Sequence, residues 1–196
     1  MSSTVPVLPL KNTIVFPQLA APLAVGRPAS VAAVEAAANT GGEAQLLCIA
    51  QREADQEYPG VDDLHAVGTL VAVRRIERGD DGMQVLVQGL RRARLTALRD
   101  RDDHLEADVE PLGTPTGEGA AIDALVRENH RLGRAIAELI DPRGGEAMFD
   151  QLVLSIRDTL AQHYRMASLA NLPVERQQEV LEADTLRAVL ERLYEI

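Results

Sequence analysis

Hydrophobic and polar residues alternate along this chain with two periods, and the period changes near residue 113. Before that point, apolar positions recur every second residue, as in strands that bury one face. Beyond it they recur every third or fourth residue, as in amphipathic helices. The pattern predicts an α+β protein with a β-rich unit at 1–112, a linker at 113–119 and an α-helical bundle at 120–196.

The β-rich unit contains short apolar segments that are bounded by turn residues. Two of them do not alternate: the prolines make 5–10 extended, and 43–51 is a continuous apolar run typical of a buried strand. Closely spaced strands with period-2 patterning are predicted at 67–78, 82–90, 92–99 and 105–111. Gly79, Asp80 and Asp81, between two of these strands, are typical of a hairpin turn. Short connections of this kind favour an antiparallel sheet that curls into a barrel or sandwich. One helix interrupts the strands, since Pro28 suits a first helical turn and the segment 39–42 supplies a stop.

The helical bundle is predicted to contain helices at 120–140 and 146–164, and two more within 172–196. In the first helix, Ile136 and Leu139 continue an apolar stripe, which predicts that both face the core. In the second helix, Met148 and Phe149 are expected in the core as well. The last helix reaches the end of the sequence without a stop signal, so we expect the natural chain to continue.

The net charge argues against a nucleic-acid-binding role. It is −10 and evenly spread, with −5 in residues 1–112 and −5 in residues 113–196. Binding to phosphates needs a basic face, and stacking of bases needs aromatic rings, of which the chain has only two Phe and three Tyr. No apolar run approaches the ~18 residues of a membrane span, so we expect no membrane partner.

The predicted location is the cytoplasm. The N-terminus lacks the basic region and apolar stretch of a signal peptide. The single cysteine, Cys48, forms no internal disulfide, which fits a reducing compartment. It lies in an apolar strand and is expected to behave as a small buried hydrophobe.

The sequence carries no recognisable catalytic, cofactor or metal site. A P-loop and a serine–lysine dyad both need a lysine, and the only lysine, Lys11, has no glycine or serine beside it. The histidines are widely spaced and form no metal-binding pair, so they are expected to be surface or loop residues: His65, His104, His130 and His163. The chain is therefore predicted to have no enzyme activity of its own.

An ordered series of motifs runs along the chain, beginning with Leu-Pro-Leu-Lys, Val-Phe-Pro and Pro-Leu-Ala-Val-Gly-Arg at 8–11, 15–17 and 22–27. Further motifs follow at 49–53, 63–73, 85–98 and 172–193. The series resembles the amino-terminal, substrate-binding domain of the bacterial ATP-dependent protease Lon. The resemblance covers nearly the whole chain. Stand-alone proteins of related sequence usually differ after the Phe-Pro element, so the segment ending in Val-Gly-Arg favours Lon itself.

The resemblance implies a PUA-like β lobe followed by a helical bundle. It implies binding of unfolded, damaged or degron-bearing proteins, and support of homohexamer assembly. It also implies that the P-loop, with its ATP and magnesium, and the serine–lysine dyad of the parent protease lie downstream. The alternative is a stand-alone binding protein with this fold and no protease activity.

An apolar, proline-interrupted segment is the candidate protein-substrate surface. Capture of unfolded chains needs exposed apolar surface, and the prolines are expected to keep segment 17–23 out of any sheet or helix. The candidate residues are Pro17, Leu19, Pro22, Leu23 and Met83. Two alternatives stay open: Leu19 and Leu23 could seal one end of the β-rich unit, or the same segment could make subunit contacts.

Overall fold

Six strands and six α-helices make up the described chain, which comprises residues 3–79 and 82–195 of a computed structural model. The α+β class predicted from the sequence is confirmed. The chain divides into two compact units, Met1–Leu112 and Gly113–Ile196. The predicted turn residues Asp80 and Asp81 lie outside the described residues. The strands, all in the first unit, are β1 (Ser3–Leu10), β2 (Ala20–Val25), β3 (Gln45–Ala50), β4 (Val67–Gly79), β5 (Gly82–Asp100) and β6 (Leu105–Pro111).

The strands form one sheet in the order β2-β5-β4-β3-β1-β6, and β6 also pairs with β5. The sheet therefore closes on itself through β5, and β2 is attached outside the ring. Every neighbouring pair is antiparallel except β1 and β3, which run parallel. The expectation of a purely antiparallel sheet is wrong at this pair, because helix α1 (Pro28–Ala38) lies in the crossover between the two strands.

Strand β5 is longer than predicted, because the segments 82–90 and 92–99 belong to one continuous strand. Its first half pairs with β2 and its second half with β6, while β4 runs along most of its length. Register shifts between Leu70 and Val71, between Val73 and Arg75, and between Leu95 and Ala97 interrupt these ladders. Such bulges increase local twist and bend. A strand of this length can therefore pair with β2 along one half and with β6 along the other.

The helical unit contains five helices and a π-helical turn. These are α2 (Ala120–Ile140), α3 (Gly145–Phe149), the π turn Asp150–Leu154, α4 (Thr159–Leu169), α5 (Val174–Glu182) and α6 (Leu186–Tyr194). The single helix predicted at 146–164 is wrong. The Asp158 side chain accepts a hydrogen bond from the Ala161 amide at 2.8 Å and starts α4 as a new helix. The predicted break near Ala183 is confirmed by the end of α5 and the start of α6.

Two of the contacts that hold α2 in this unit involve Gly133 and Asn129. Gly133 leaves room for the Phe149 ring, since a Cβ atom at 133 would lie 2.4 Å from Phe149 Cε2. Phe149 is buried, as expected. At 3.0 Å, buried Asn129 donates its Nδ2–H to the Leu190 carbonyl of α6. The predicted helical bundle thus rests on a close glycine–ring contact and a buried hydrogen bond as well as on apolar packing.

Two histidines meet inside this bundle. His130 of α2 and His163 of α4 stack with their ring centroids 5.2 Å apart. His163 is fully buried, and its Nδ1–H donates to the Thr159 carbonyl at 2.7 Å. Neither Nε2 atom has a hydrogen-bond partner within the described part of the chain. The expectation that all four histidines lie on the surface or in loops is therefore wrong for this pair.

Burial disfavours protonation of both rings. It lowers the pKa of His163 to about 4, an effect that the Thr159 carbonyl opposes and the neighbouring His130 reinforces. Burial also lowers the pKa of His130; Arg134 acts in the same direction, and a hydrogen bond with Gln162 and the Asp150 carboxylate oppose it. Because the folded-state pKa of each lies below the ordinary value of 6.5, protonation favours unfolding.

We predict that acid destabilises the helical unit through His163. Its contribution is fully present above about pH 6.5 and falls as the pH decreases towards the folded-state pKa, by about 2 kcal/mol between pH 7 and pH 5. Urea denaturation of the wild-type chain and of His163→Gln, followed by circular dichroism at several pH values, measures this contribution. Since Gln does not titrate, the variant should lose correspondingly less stability on acidification. Equal losses for the two proteins would contradict the prediction.

Candidate protein-binding surface

A tight turn seats the Phe-Pro element on strand β5 at Gly89. A Cβ atom at position 89 would lie 2.1 Å from the Phe16 carbonyl oxygen, so only glycine permits this approach. The Gln18 amide donates to the Gly89 carbonyl at 2.9 Å, and the Gly89 amide donates to the Leu19 carbonyl at 2.8 Å. Gln18 adopts φ = 65°, a left-handed conformation that lets the chain reverse here. The turn therefore delivers the chain directly into β2.

Residues 20–25 form β2 and pair antiparallel with β5. The expectation that prolines keep segment 17–23 out of the sheet is wrong. In an antiparallel strand, successive residues direct their backbone N–H and C=O groups alternately to one side and the other. The Leu19 carbonyl bonds to β5, so the backbone groups of Ala21 and Leu23 also point to β5. Those of Pro22 point away from β5. A proline with its missing N–H on the outer side fits an edge strand.

Most of the candidate residues are buried. Leu19 is 6% exposed, Leu23 7% and Met83 5%, and Pro17 is buried as well. Leu23 and Met83 belong to an apolar cluster that also contains Val85 and Val87 of β5. The expectation that Leu19 and Leu23 are available on the surface is therefore wrong, because β2 turns these side chains towards the core.

The other face of the same two strands is exposed. Pro22 lies opposite Leu86 in the β2–β5 register, and both side chains are exposed, Leu86 to 38%. Ala20 and Ala24 flank Pro22 and are exposed too. We call Ala20, Pro22, Ala24 and Leu86 the β2–β5 strip. Of the candidate residues, the structure places only Pro22 on this face.

Leu86 was missed in the sequence analysis, although a signal for it exists. In the alternating segment 82–90 it occupies the face opposite to Val85 and Val87, among the polar residues Gln84 and Gln88. A leucine on the polar face of an amphipathic strand marks an exposed apolar side chain. Arg75 lies opposite Leu86 on β4 and forms an exposed ion pair with Glu77 at 2.6 Å. The strip is thus apolar with a polar border.

Arg27, just beyond β2, anchors that end of the strand. Its guanidinium donates to the Gln51 Oε1 atom at 2.7 Å and to the Pro9 carbonyl at 2.5 Å. Gln51 in turn donates to the Gln56 carbonyl at 2.7 Å. Burial lowers the pKa of Arg27, and the Glu57 carboxylate opposes this effect. Charge-assisted bonds of this kind join β1, β3 and the start of α1 around one side chain.

A second exposed apolar surface lies at the end of α2. Ile136, Leu139 and Ile140 are 57%, 83% and 78% exposed and, by their spacing, share one helix face. We call them the α2 stripe. The expectation that Ile136 and Leu139 face the core is wrong: α2 buries little of its C-terminal half. Met148 is 50% exposed, so its predicted core position is wrong as well.

Two further features of the described residues bear on chemistry, the single cysteine and the grouping of possible metal ligands. Cys48 is buried, as predicted, and burial raises the pKa of its thiol. Among the described residues, no three His, Cys, Asp or Glu side chains are grouped so that they could hold a metal ion. In the same residues, none of the helices is both long and apolar enough to cross a membrane.

Comparison with known proteins places this chain in a family. The family model for the ATP-dependent protease La (LON) substrate-binding domain matches residues 4–196. Lon protease of Nitrosococcus oceani is 32% identical over 190 residues, and Lon protease of Escherichia coli K12 is 40% identical over 124 residues. These alignments cover 96% and 63% of this chain. The chain spans 24% of the first relative and 16% of the second.

Solved structures show the same fold. The N-terminal domain of the Mycobacterium avium complex Lon protease has a TM-score of 0.74 and 23% identity, covering 98% of this chain and 97% of that one. The Lon N-terminal domain protein from Xanthomonas campestris has a TM-score of 0.66 and 21% identity, covering 98% of each chain.

Proposed function

Because this chain belongs to the family of Lon substrate-binding domains, we propose that it recognises unfolded, damaged or degron-bearing proteins for degradation by an ATP-dependent protease. The observation that carries the proposal is the β2–β5 strip, where Pro22 and Leu86 lie side by side in solvent. Apolar side chains that folded proteins bury are the common feature of unfolded ones, so an exposed apolar strip with a polar border fits such clients.

The parent protein supplies the chemistry in this proposal. Its relatives are Lon proteases several times longer than this chain. We propose that the parent protein is a cytoplasmic serine endopeptidase, and that its downstream domains bind ATP and magnesium and contain its catalytic dyad. The chain described here then acts by holding the client.

We predict that Leu86→Ser weakens binding of an unfolded protein at least about fivefold, because it removes most of the apolar area of an exposed contact. The measurement is fluorescence anisotropy of labelled, reduced and carboxymethylated α-lactalbumin titrated with the chain. Leu139→Ser makes the same change on the α2 stripe and serves as the matched control, with no effect expected on this affinity.

Two results would contradict the proposal. If the wild-type chain failed to bind the unfolded probe, client recognition itself would be contradicted. Equal affinities for the wild-type chain and for folded Leu86→Ser would remove the β2–β5 strip as the contact.

We further propose that the helical unit contributes to homohexamer assembly of the parent protein through the α2 stripe. Ile136, Leu139 and Ile140 are all more exposed than Leu86 of the β2–β5 strip. Apolar residues at i, i+3 and i+4 form the contact face of helices that pack against one another. A second copy of the chain would bury these three side chains.

We expect the wild-type chain to self-associate with rising concentration and Leu139→Ser to do so less, because serine removes the most exposed apolar side chain of the stripe. Sedimentation velocity across a concentration series measures the difference. Here Leu86→Ser is the matched control and should behave like the wild type. A wild-type chain that stays monomeric at every concentration would contradict the assembly role.

A further inference from the structure

We propose that an extended segment of the client pairs with the free edge of β2 and continues the sheet by one strand. This inference rests on the proposed function and deepens it, because it names the part of the client that is recognised: the backbone, in an extended conformation. The β2–β5 strip would then contact the side chains on one face of that added strand.

The hydrogen-bonding pattern of β2 directs alternate backbone groups away from the sheet. The Gly89 amide donates to the Leu19 carbonyl, which fixes the alternation for the strand that follows. Ala21, Leu23 and Val25 direct their backbone groups to β5. The N–H groups of Ala20 and Ala24 therefore point away from the sheet, together with the carbonyls of Ala20, Pro22 and Ala24. These are the donors and acceptors that an incoming strand requires.

The outer edge of β2 is accessible. Among the described residues, β2 pairs only with β5. The three residues that direct their backbone outwards, Ala20, Pro22 and Ala24, are all exposed. Helix α1, which follows in the chain, packs against β1, β3, β4 and β6.

The chemistry of the edge favours an unfolded client over other occupants. Backbone pairing does not depend on sequence, which suits a module for diverse unfolded proteins, and those proteins have unpaired N–H and C=O groups. Alternate side chains of the added strand would lie beside Pro22 and Leu86, where apolar groups are favoured. A second copy pairing symmetrically about Pro22 would place two prolines opposite each other, so both central donors would be missing.

Ala24→Pro tests the inference. The substitution removes an outward N–H and adds a ring on the free edge, while the bonds of Leu23 and Val25 to β5 stay in place. With carboxymethylated α-lactalbumin as the probe, we expect at least about fivefold weaker binding by anisotropy.

Thermal melts establish that the variants remain folded, and Ala20→Pro provides the same test at the other end of the strand if Ala24→Pro unfolds. Wild-type affinity in a folded Ala24→Pro or Ala20→Pro variant would overturn edge pairing while client recognition stands. Failure of the wild-type chain to bind the probe would overturn both. A wild-type dimer that Ala24→Pro dissociates would also overturn the inference, because a second copy would then occupy the edge.

Discussion

The approach of the Phe16 carbonyl to Gly89 is the constraint on which the candidate surface depends. No side chain fits at position 89, because its Cβ atom would overlap the Phe16 oxygen. In the same turn, the Gly89 amide donates a hydrogen bond to the Leu19 carbonyl, and this bond sets which residues of β2 direct their backbone groups to β5. The resulting alternation along β2 decides which side chains are buried in the core, which are exposed to solvent and which backbone groups point outwards at the edge.

Arg27 secures the opposite end of β2. Its bonds to Gln51 and to the Pro9 carbonyl join three segments that belong to separate family motifs. The Phe-Pro element and the segment around Gly89 form another such pair. These motifs therefore contain both the framework that positions β2 and most of the exposed strip, since Pro22, Ala24 and Leu86 lie within them.

Much of the fold followed from the sequence, since period and turn residues are local signals. The bounds of α2 and the split between α5 and α6 are examples. Features that depend on distant partners did not follow. Segment 92–99 is predicted as a separate strand, but it continues β5 and pairs with β6, a partner that the local sequence does not reveal. Likewise, β1 runs parallel to β3 because of a crossover. Leu23 and Ile136 were misplaced for the same reason: apolarity does not reveal which neighbour covers a side chain.

Residue-resolved hydrogen exchange of the wild-type chain, with and without carboxymethylated α-lactalbumin, tests the central claim most directly. In the free chain, the Leu23 and Val25 amides should exchange slowly, because they face β5, and those of Ala20 and Ala24 should exchange fast. Client binding should slow exchange at Ala20 and Ala24. A saturated complex in which both amides still exchange as fast as in the free chain would contradict the claim that β2 receives the client.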